Sequence, residues 1–181
     1  MNIEYHKWWS HNLCREMEYK VYGHDGQALL AFPCQDGRFF DWENYGMIHV
    51  LAPFIEAGRL RVICVDGIDW ETWSNKWGDK RWRIERHESW FRYVTDELLP
   101  NIKHNPQQMF ITTGCSMGGF HAANFFFRRP DLFNGMLAMG NAAIADVIGS
   151  ANLEFEGGYG AKQHWLRTTA NLRNLALAPL G

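Results

Sequence analysis

The feature that most constrains this chain is a series of short apolar runs alternating with longer stretches of helical periodicity. Residues 27–32, 61–65, 108–113 and 133–139 are each too short and too uniformly apolar for a surface helix, and read as buried strands. Between them, residues 41–56 place Tyr45, Ile48, Leu51, Ala52 and Ile55 at three-to-four spacing, with Gly58 closing a helix. Residues 82–99 put Trp90, Phe91, Val94 and Leu98 on one face, and Pro100 marks an end or a kink. Residues 117–128 form a further helix that stops near Pro130. Continuous apolar strands separated by helices specify an α/β fold, with a mostly parallel sheet covered on both faces. Residues 18–24 read as an edge strand turning at Asp25 and Gly26.

A length of 181 residues suits a single domain covering 1–181. A formal net charge of −2 argues against a dedicated partner for nucleic acid or acidic membrane. No window approaches 18 consecutive apolar residues, so no transmembrane helix is expected. The opening residues lack a basic cluster followed by an apolar run, and so read as having no secretory leader. Cys14, Cys34, Cys64 and Cys115 fit no zinc spacing, and two of them sit within apolar runs. Reduced thiols in a cytoplasmic protein are the expectation, with two disulfides left open as the alternative.

Gly114, Cys115, Ser116, Met117 and Gly118 form a G-x-S-x-G motif between the strand at 108–113 and the helix at 117–128. This is the context the motif requires. A serine on a sharp strand-to-helix turn is lifted above the sheet, and small residues two before and two after it let strand and helix approach. The helix N-terminus then offers N–H groups and a dipole to a developing oxyanion.

The stretch from Gly114 through Ser116, Met117, Gly118, Gly119, Phe120, His121 and Ala122 resembles the nucleophile elbow of one esterase family of α/β-hydrolases. That family includes S-formylglutathione hydrolases, feruloyl esterases and mycolyltransferases. Residues 32–37 are placed like the family's segment after its third strand, and residues 41–47, 65–67, 97–102 and 129–133 also resemble it. The likeness covers residues 15–140. It implies an α/β-hydrolase fold and a serine hydrolase acting on carboxylic or thio esters through an acyl-enzyme, with no metal or organic cofactor. By position, Ser116 is the nucleophile. The N–H of Met117 is one oxyanion donor, and the loop at 34–37 supplies the other, with Gln35 the expected residue.

In this fold the acid and then the histidine follow the nucleophile. His164 is then the base and Asp146 the preferred acid, with Glu154 and Glu156 as alternatives. The strands, helices and loops still to come would need about 80–100 residues. Only 65 follow Ser116. Composition also changes there: residues 1–140 hold 24 of the 27 aromatics and seven alanines, and residues 141–181 hold three aromatics and eight alanines. Two arrangements fit, a naturally short ending or a C-terminal part that is lost or replaced.

Other residues read more plainly. His121 lies five positions after Ser116, turned about 140° from it on a helix, and reads as a packing or surface histidine. His87 and His104 read as solvated and His24 as a turn residue, while His6, His11 and His49 show no ligand spacing. Trp70, Trp73 and Trp77 form either a packed loop or an aromatic wall beside a substrate, since loops after strand C-termini border the site in such sheets. The basic run at 80–83 with Arg86 is diluted by Asp79, Glu85 and Glu88 and reads as a solvated helix face. Two rival functions stay open, a catalytically silent binding module and an acyltransferase. An exposed sheet edge would favour pairing into a homo-oligomer.

Overall fold

A computed structural model describes residues 1–139 of the chain. The elements follow as β1 (Ile3–Ser10), β2 (Arg15–Tyr22), β3 (Gln27–Phe32), α1 (Asp41–Asn44), α2 (Met47–Glu56), β4 (Leu60–Val65) and α3 (Lys80–Arg92). A π-helical segment (Tyr93–Leu98) leads into α4 (Leu99–Ile102), then β5 (Phe110–Cys115), α5 (Met117–Arg128) and β6 (Phe133–Met139). Among the described residues the six strands form one sheet in the order β1-β2-β4-β3-β5-β6. β1 and β2 form an antiparallel hairpin, and β2 is antiparallel to β4. β4, β3, β5 and β6 are parallel. The expected α/β sheet with helices on both faces is present.

Alternation within the strands divides the interior in two. Leu30 and Phe32 of β3 and Ile63 and Val65 of β4 face a cluster with Trp90, Val94, Leu98 and Phe125, beneath α3, the π segment and α5. Leu29 and Ala31, with Val62 and Cys64, face Trp42, Ile48 and Ile55, beneath α1 and α2. Each fully buried large apolar side chain contributes about 1.5–3 kcal/mol. Exposed ion pairs such as Lys7–Glu16 contribute about 0–1 kcal/mol. The two clusters therefore carry the stability.

Several expectations are corrected. Residues 18–24 are not an edge strand: β2 lies between β1 and β4, and β1 holds the edge. The helix at 41–56 is two helices, because Gly46 takes a left-handed φ of 76° that restarts the chain as α2. The helix at 82–99 begins at Lys80, capped by the Asp79 carboxylate accepting from the Trp82 N–H at 2.8 Å. It then widens into the π segment and continues past Pro100 to Ile102. Pro100 stands where the π segment gives way to α4. No helix among the described residues is long and apolar enough to cross a membrane.

The two-cluster core generates a direct test. Leu30 is fully buried. Leu30→Ala should lower the unfolding free energy by about 2–5 kcal/mol. Lys7→Ala should change it by less than about 0.5 kcal/mol. Urea denaturation of both variants beside the parent checks the contrast.

Candidate active site

Chain order singles out one end of this sheet. From β3 the chain crosses to β4 on one side, then returns past β3 to β5 on the other. Strand order thus reverses between β3 and β5, and ligands in open α/β sheets bind outside the strand C-termini at such a switch point. The segments leaving that end of β3 and β5 are residues 33–37 and the turn at Ser116.

Ser116 has φ 56° and ψ −122°, one of three non-glycine residues with positive φ among the described residues. Such a conformation costs of order 1–3 kcal/mol and persists only where its surroundings over-determine it. Here glycines do so. A Cβ on Gly118 would come within 2.5 Å of the Pro33 carbonyl oxygen and 2.6 Å of the Phe32 carbonyl oxygen. A Cβ on Gly114 would overlap the backbone of Gly118. Ser116 N–H donates to the Met139 carbonyl at 2.9 Å, and the Ser116 carbonyl accepts from Gly119 N–H at 3.0 Å. Met117 opens α5, in the first turn, where N–H groups have no helical carbonyl to reach.

Residues 34–37 form a tight turn closed by Gly37 N–H donating to the Cys34 carbonyl at 2.9 Å, with Asp36 at φ 57°. The Gln35 side-chain amide donates to Ser74 Oγ, which donates to the Asp36 carboxylate, both at 2.8 Å. Any oxyanion role of Gln35 therefore falls to its backbone N–H. Arg38 fixes the loop's far side, pairing with Asp66 at 2.7 Å and Glu18 at 2.5 Å. Burial raises the Asp66 carboxyl above its ordinary range, against the Arg38 pairing that lowers it.

The loop after β4 brings in residues that helix spacing alone does not connect. His121 is buried on the sheet side of α5, and its Nε2 lies 2.9 Å from Asp69 Oδ1. The opposite atoms, His121 Nδ1 and Asp69 Oδ2, have no hydrogen-bond partner among the described residues. His87, expected to be solvated, is buried beside His121, with ring centroids 5.8 Å apart. Trp73 Nε1–H donates to His87 Nδ1 at 3.4 Å, and the Asn124 side-chain amide lies 3.2 Å from His87 Nε2. Burial, then the charges of His121 and Arg128, push the His87 pKa down to about 3. His104 is exposed, as expected. Trp73 also packs edge-on against Phe120 at 4.7 Å, beside the elbow helix. Trp70 lies under the Arg15 guanidinium at 5.3 Å, and Trp77 is fully exposed. Asp146, Glu154, Glu156 and His164 lie outside the described residues.

The chain matches no protein-family model. No curated protein matches it. Solved structures do. A ferulic acid esterase superposes with a TM-score of 0.58 at 20% identity, over 77% of this chain and 57% of that one. An S-formylglutathione hydrolase from Agrobacterium tumefaciens gives 0.56 at 19% identity, over 74% and 56% respectively. An S-formylglutathione hydrolase from Staphylococcus aureus gives 0.56 at 13% identity, over 94% and 76%. The described residues share the α/β-hydrolase-type fold of these structures. The chain spans little more than half the length of the first two neighbours. Within that fold, the strained serine stands where strand β5 meets helix α5.

His87 gives the site a pH signature. In the unfolded chain its ring protonates near 6.5, and in the folded protein only near 3. Between those values the unfolded state binds the extra proton, so stability is full above pH 6.5 and falls as pH drops toward 3. His87→Gln should flatten the fall in unfolding free energy between pH 6.5 and 4, read by denaturation at a series of pH values. An unchanged slope would mean that His87 is not held neutral.

Proposed function

We propose that the chain is a serine hydrolase acting on carboxylic or thio esters through an acyl-enzyme on Ser116. The observation that carries this reading is the backbone of Ser116, held at φ 56° and ψ −122° between β5 and α5 by glycine contacts onto the exit of β3. The fold shared with solved esterases supports it.

In the proposed reaction Ser116 Oγ attacks the ester carbonyl while a histidine removes its proton, and a carboxylate orients that histidine. The carbonyl oxygen becomes an oxyanion and accepts from two N–H groups. Met117 N–H supplies one, and the turn at 34–37 supplies the other through Gln35. Collapse expels the alcohol or thiol, which takes the proton from the histidine. Water then releases the acid by the same steps in reverse roles. His164 is the proposed base and Asp146 the proposed acid, with Glu154 and Glu156 as alternatives. Trp73, packed on the elbow helix, and Trp70 are the proposed aromatic contacts for a small-molecule ester.

Fluorophosphonate labelling of the full chain followed by peptide mapping tests this directly. The label is expected on Ser116, and its appearance elsewhere, or nowhere on folded protein, rejects the nucleophile. Ser116→Ala should lower p-nitrophenyl ester turnover by roughly 10⁴–10⁶-fold with the circular dichroism spectrum retained. His164→Ala should lower it on a similar scale. Equal turnover by His164→Ala and the parent would remove His164 from the mechanism while leaving Ser116 in it.

A further inference from the structure

Two thiols flank Ser116, and the proposed ester chemistry uses neither. Cys115 is the last residue of β5, immediately before the serine, and Cys34 opens the turn at the exit of β3. The sheet brings them together. β3 and β5 are parallel neighbours with Phe32 opposite Gly114, so the next residue of β5, Cys115, still paired with Met139 of β6, lies beside Pro33 and Cys34 where these leave β3. In that register Cys115 is level with Pro33, one residue short of Cys34, and a strand spacing of about 4.8 Å combined with a rise of about 3.3 Å stays inside the limit of about 7 Å between Cα atoms that a disulfide can bridge. Gly118 lets the start of α5 sit close to the same exit of β3, since a Cβ there would come within 2.5 Å of the Pro33 carbonyl oxygen and 2.6 Å of the Phe32 carbonyl oxygen. The two thiols are near enough to act on each other electrostatically, and both cysteines are free. Cys115 is exposed and Cys34 half-buried. The other two thiols are placed differently. Cys64 is fully enclosed in the sheet, and burial drives its thiol far above the ordinary range. Cys14 sits in the β1–β2 turn, its Sγ on the His11 carbonyl.

We propose that Cys34 and Cys115 form a redox-active dithiol that peroxide closes to a disulfide, tying the 34–37 turn to the residue before Ser116. The exposed Cys115 thiolate attacks one oxygen of hydrogen peroxide. The O–O bond breaks, hydroxide leaves, and Cys115 becomes a sulfenic acid. The Cys34 sulfur then attacks the Cys115 sulfur. The S–S bond forms, the S–O bond breaks, and the departing hydroxide takes the Cys34 proton as water. Two thiols together lose two electrons and two protons, and one peroxide becomes two waters. Burial and the adjoining Cys115 raise the Cys34 thiol above its ordinary range, which suits it to resolve the sulfenic acid rather than to attack first. This inference goes beyond the esterase reading and does not rest on it, since the cross-link itself is what is measured.

The test uses the reduced full chain, treated with a small excess of hydrogen peroxide at neutral pH. Free thiols are counted under denaturing conditions, and peptides are mapped by mass spectrometry. Two of the four thiols should be lost, the intact mass should fall by two hydrogens, and dithiothreitol should reverse both. A linked peptide pair carrying Cys34 and Cys115 should appear. Cys14→Ser should retain the link, whereas Cys34→Ser should lose it and accumulate a dimedone-reactive Cys115. Four surviving thiols, irreversible oxidation of Cys115 without a linked peptide, or disulfides only between chains would each overturn the proposal. The parent chain decides this even where a variant fails to fold. A cross-linked chain whose reduced form never labels at Ser116 rejects only the esterase reading. Labelling without a cross-link rejects only the dithiol.

Discussion

The arrangement depends on one close approach of backbone to backbone. The first turn of α5 rests on the carbonyls of Phe32 and Pro33, at a distance no side chain on Gly118 would allow. The same turn abuts Gly114 of its own strand. With helix and strand this close, the residue between them must turn sharply, and Ser116 takes the strained conformation that results. The neighbouring polar groups are satisfied by the same packing. Thr112 Oγ1 donates to the Ala122 carbonyl and Thr113 Oγ1 to the Leu137 carbonyl, both at 2.9 Å, joining β5 to α5 on one side and β6 on the other. One contact thus fixes the serine's backbone, the start of the helix dipole and the position of the β3 exit loop.

Polar contacts, several of them buried, hold the loops around that contact. Asp66 accepts from Arg38 and from the Phe39 N–H, and its carbonyl accepts from Trp90 Nε1, so the end of β4 is bound to both the 33–40 segment and α3. Glu71 pairs with Arg86 at 2.5 Å and with Arg15, joining the loop after β4 to α3 and to the hairpin. The Asp69–His121 pair attaches this loop to the elbow helix from inside. Taking these polar side chains out of water is costly unless they hydrogen-bond to each other. Removing one partner alone would leave the other buried without its hydrogen bond. The pair therefore acts as a fastener for the loop more than as a source of stability.

What could be read from the sequence was what local pattern encodes. Continuous apolar runs marked β3, β4, β5 and β6, and glycines around a serine marked the turn between β5 and α5. β1 escaped because its inner face, His6, Trp8 and Ser10, is short of apolar residues. Of its eight residues only Ser10 is fully buried, and the ladder to β2 holds it together with Trp8, which packs on the core and on Tyr19. The break at Gly46 escaped because the apolar spacing of Tyr45, Ile48, Leu51 and Ile55 runs straight across it. His87 carried a signal that went unused. It precedes Trp90, Phe91 and Val94 by three, four and seven positions, which places it on the buried face of α3 and the segment that follows. The meeting of Cys34 with Cys115, and of Asp69 with His121, follows from β3 pairing with β5 after the chain has detoured through β4. No local spacing encodes a pairing of that kind.

The strain at Ser116 and the chemistry proposed for it come from different parts of the chain, and this separates two things that an activity assay alone would merge. Among the described residues, the contacts that hold φ positive at Ser116 come from Gly114, Gly118, the Phe32 and Pro33 carbonyls, and the Met139 carbonyl that accepts from the Ser116 N–H. The proposed base and acid, His164 and Asp146, lie outside that set. A strained turn costs the same whether or not a base stands beside it, so the fold must supply the compensation from its own packing. Folding stability therefore reports on the elbow, and nucleophilicity reports on what the remaining residues bring to it. A serine that is well placed but slow to label would point to a missing proton acceptor, whereas a serine that labels and then turns over water would require both halves together.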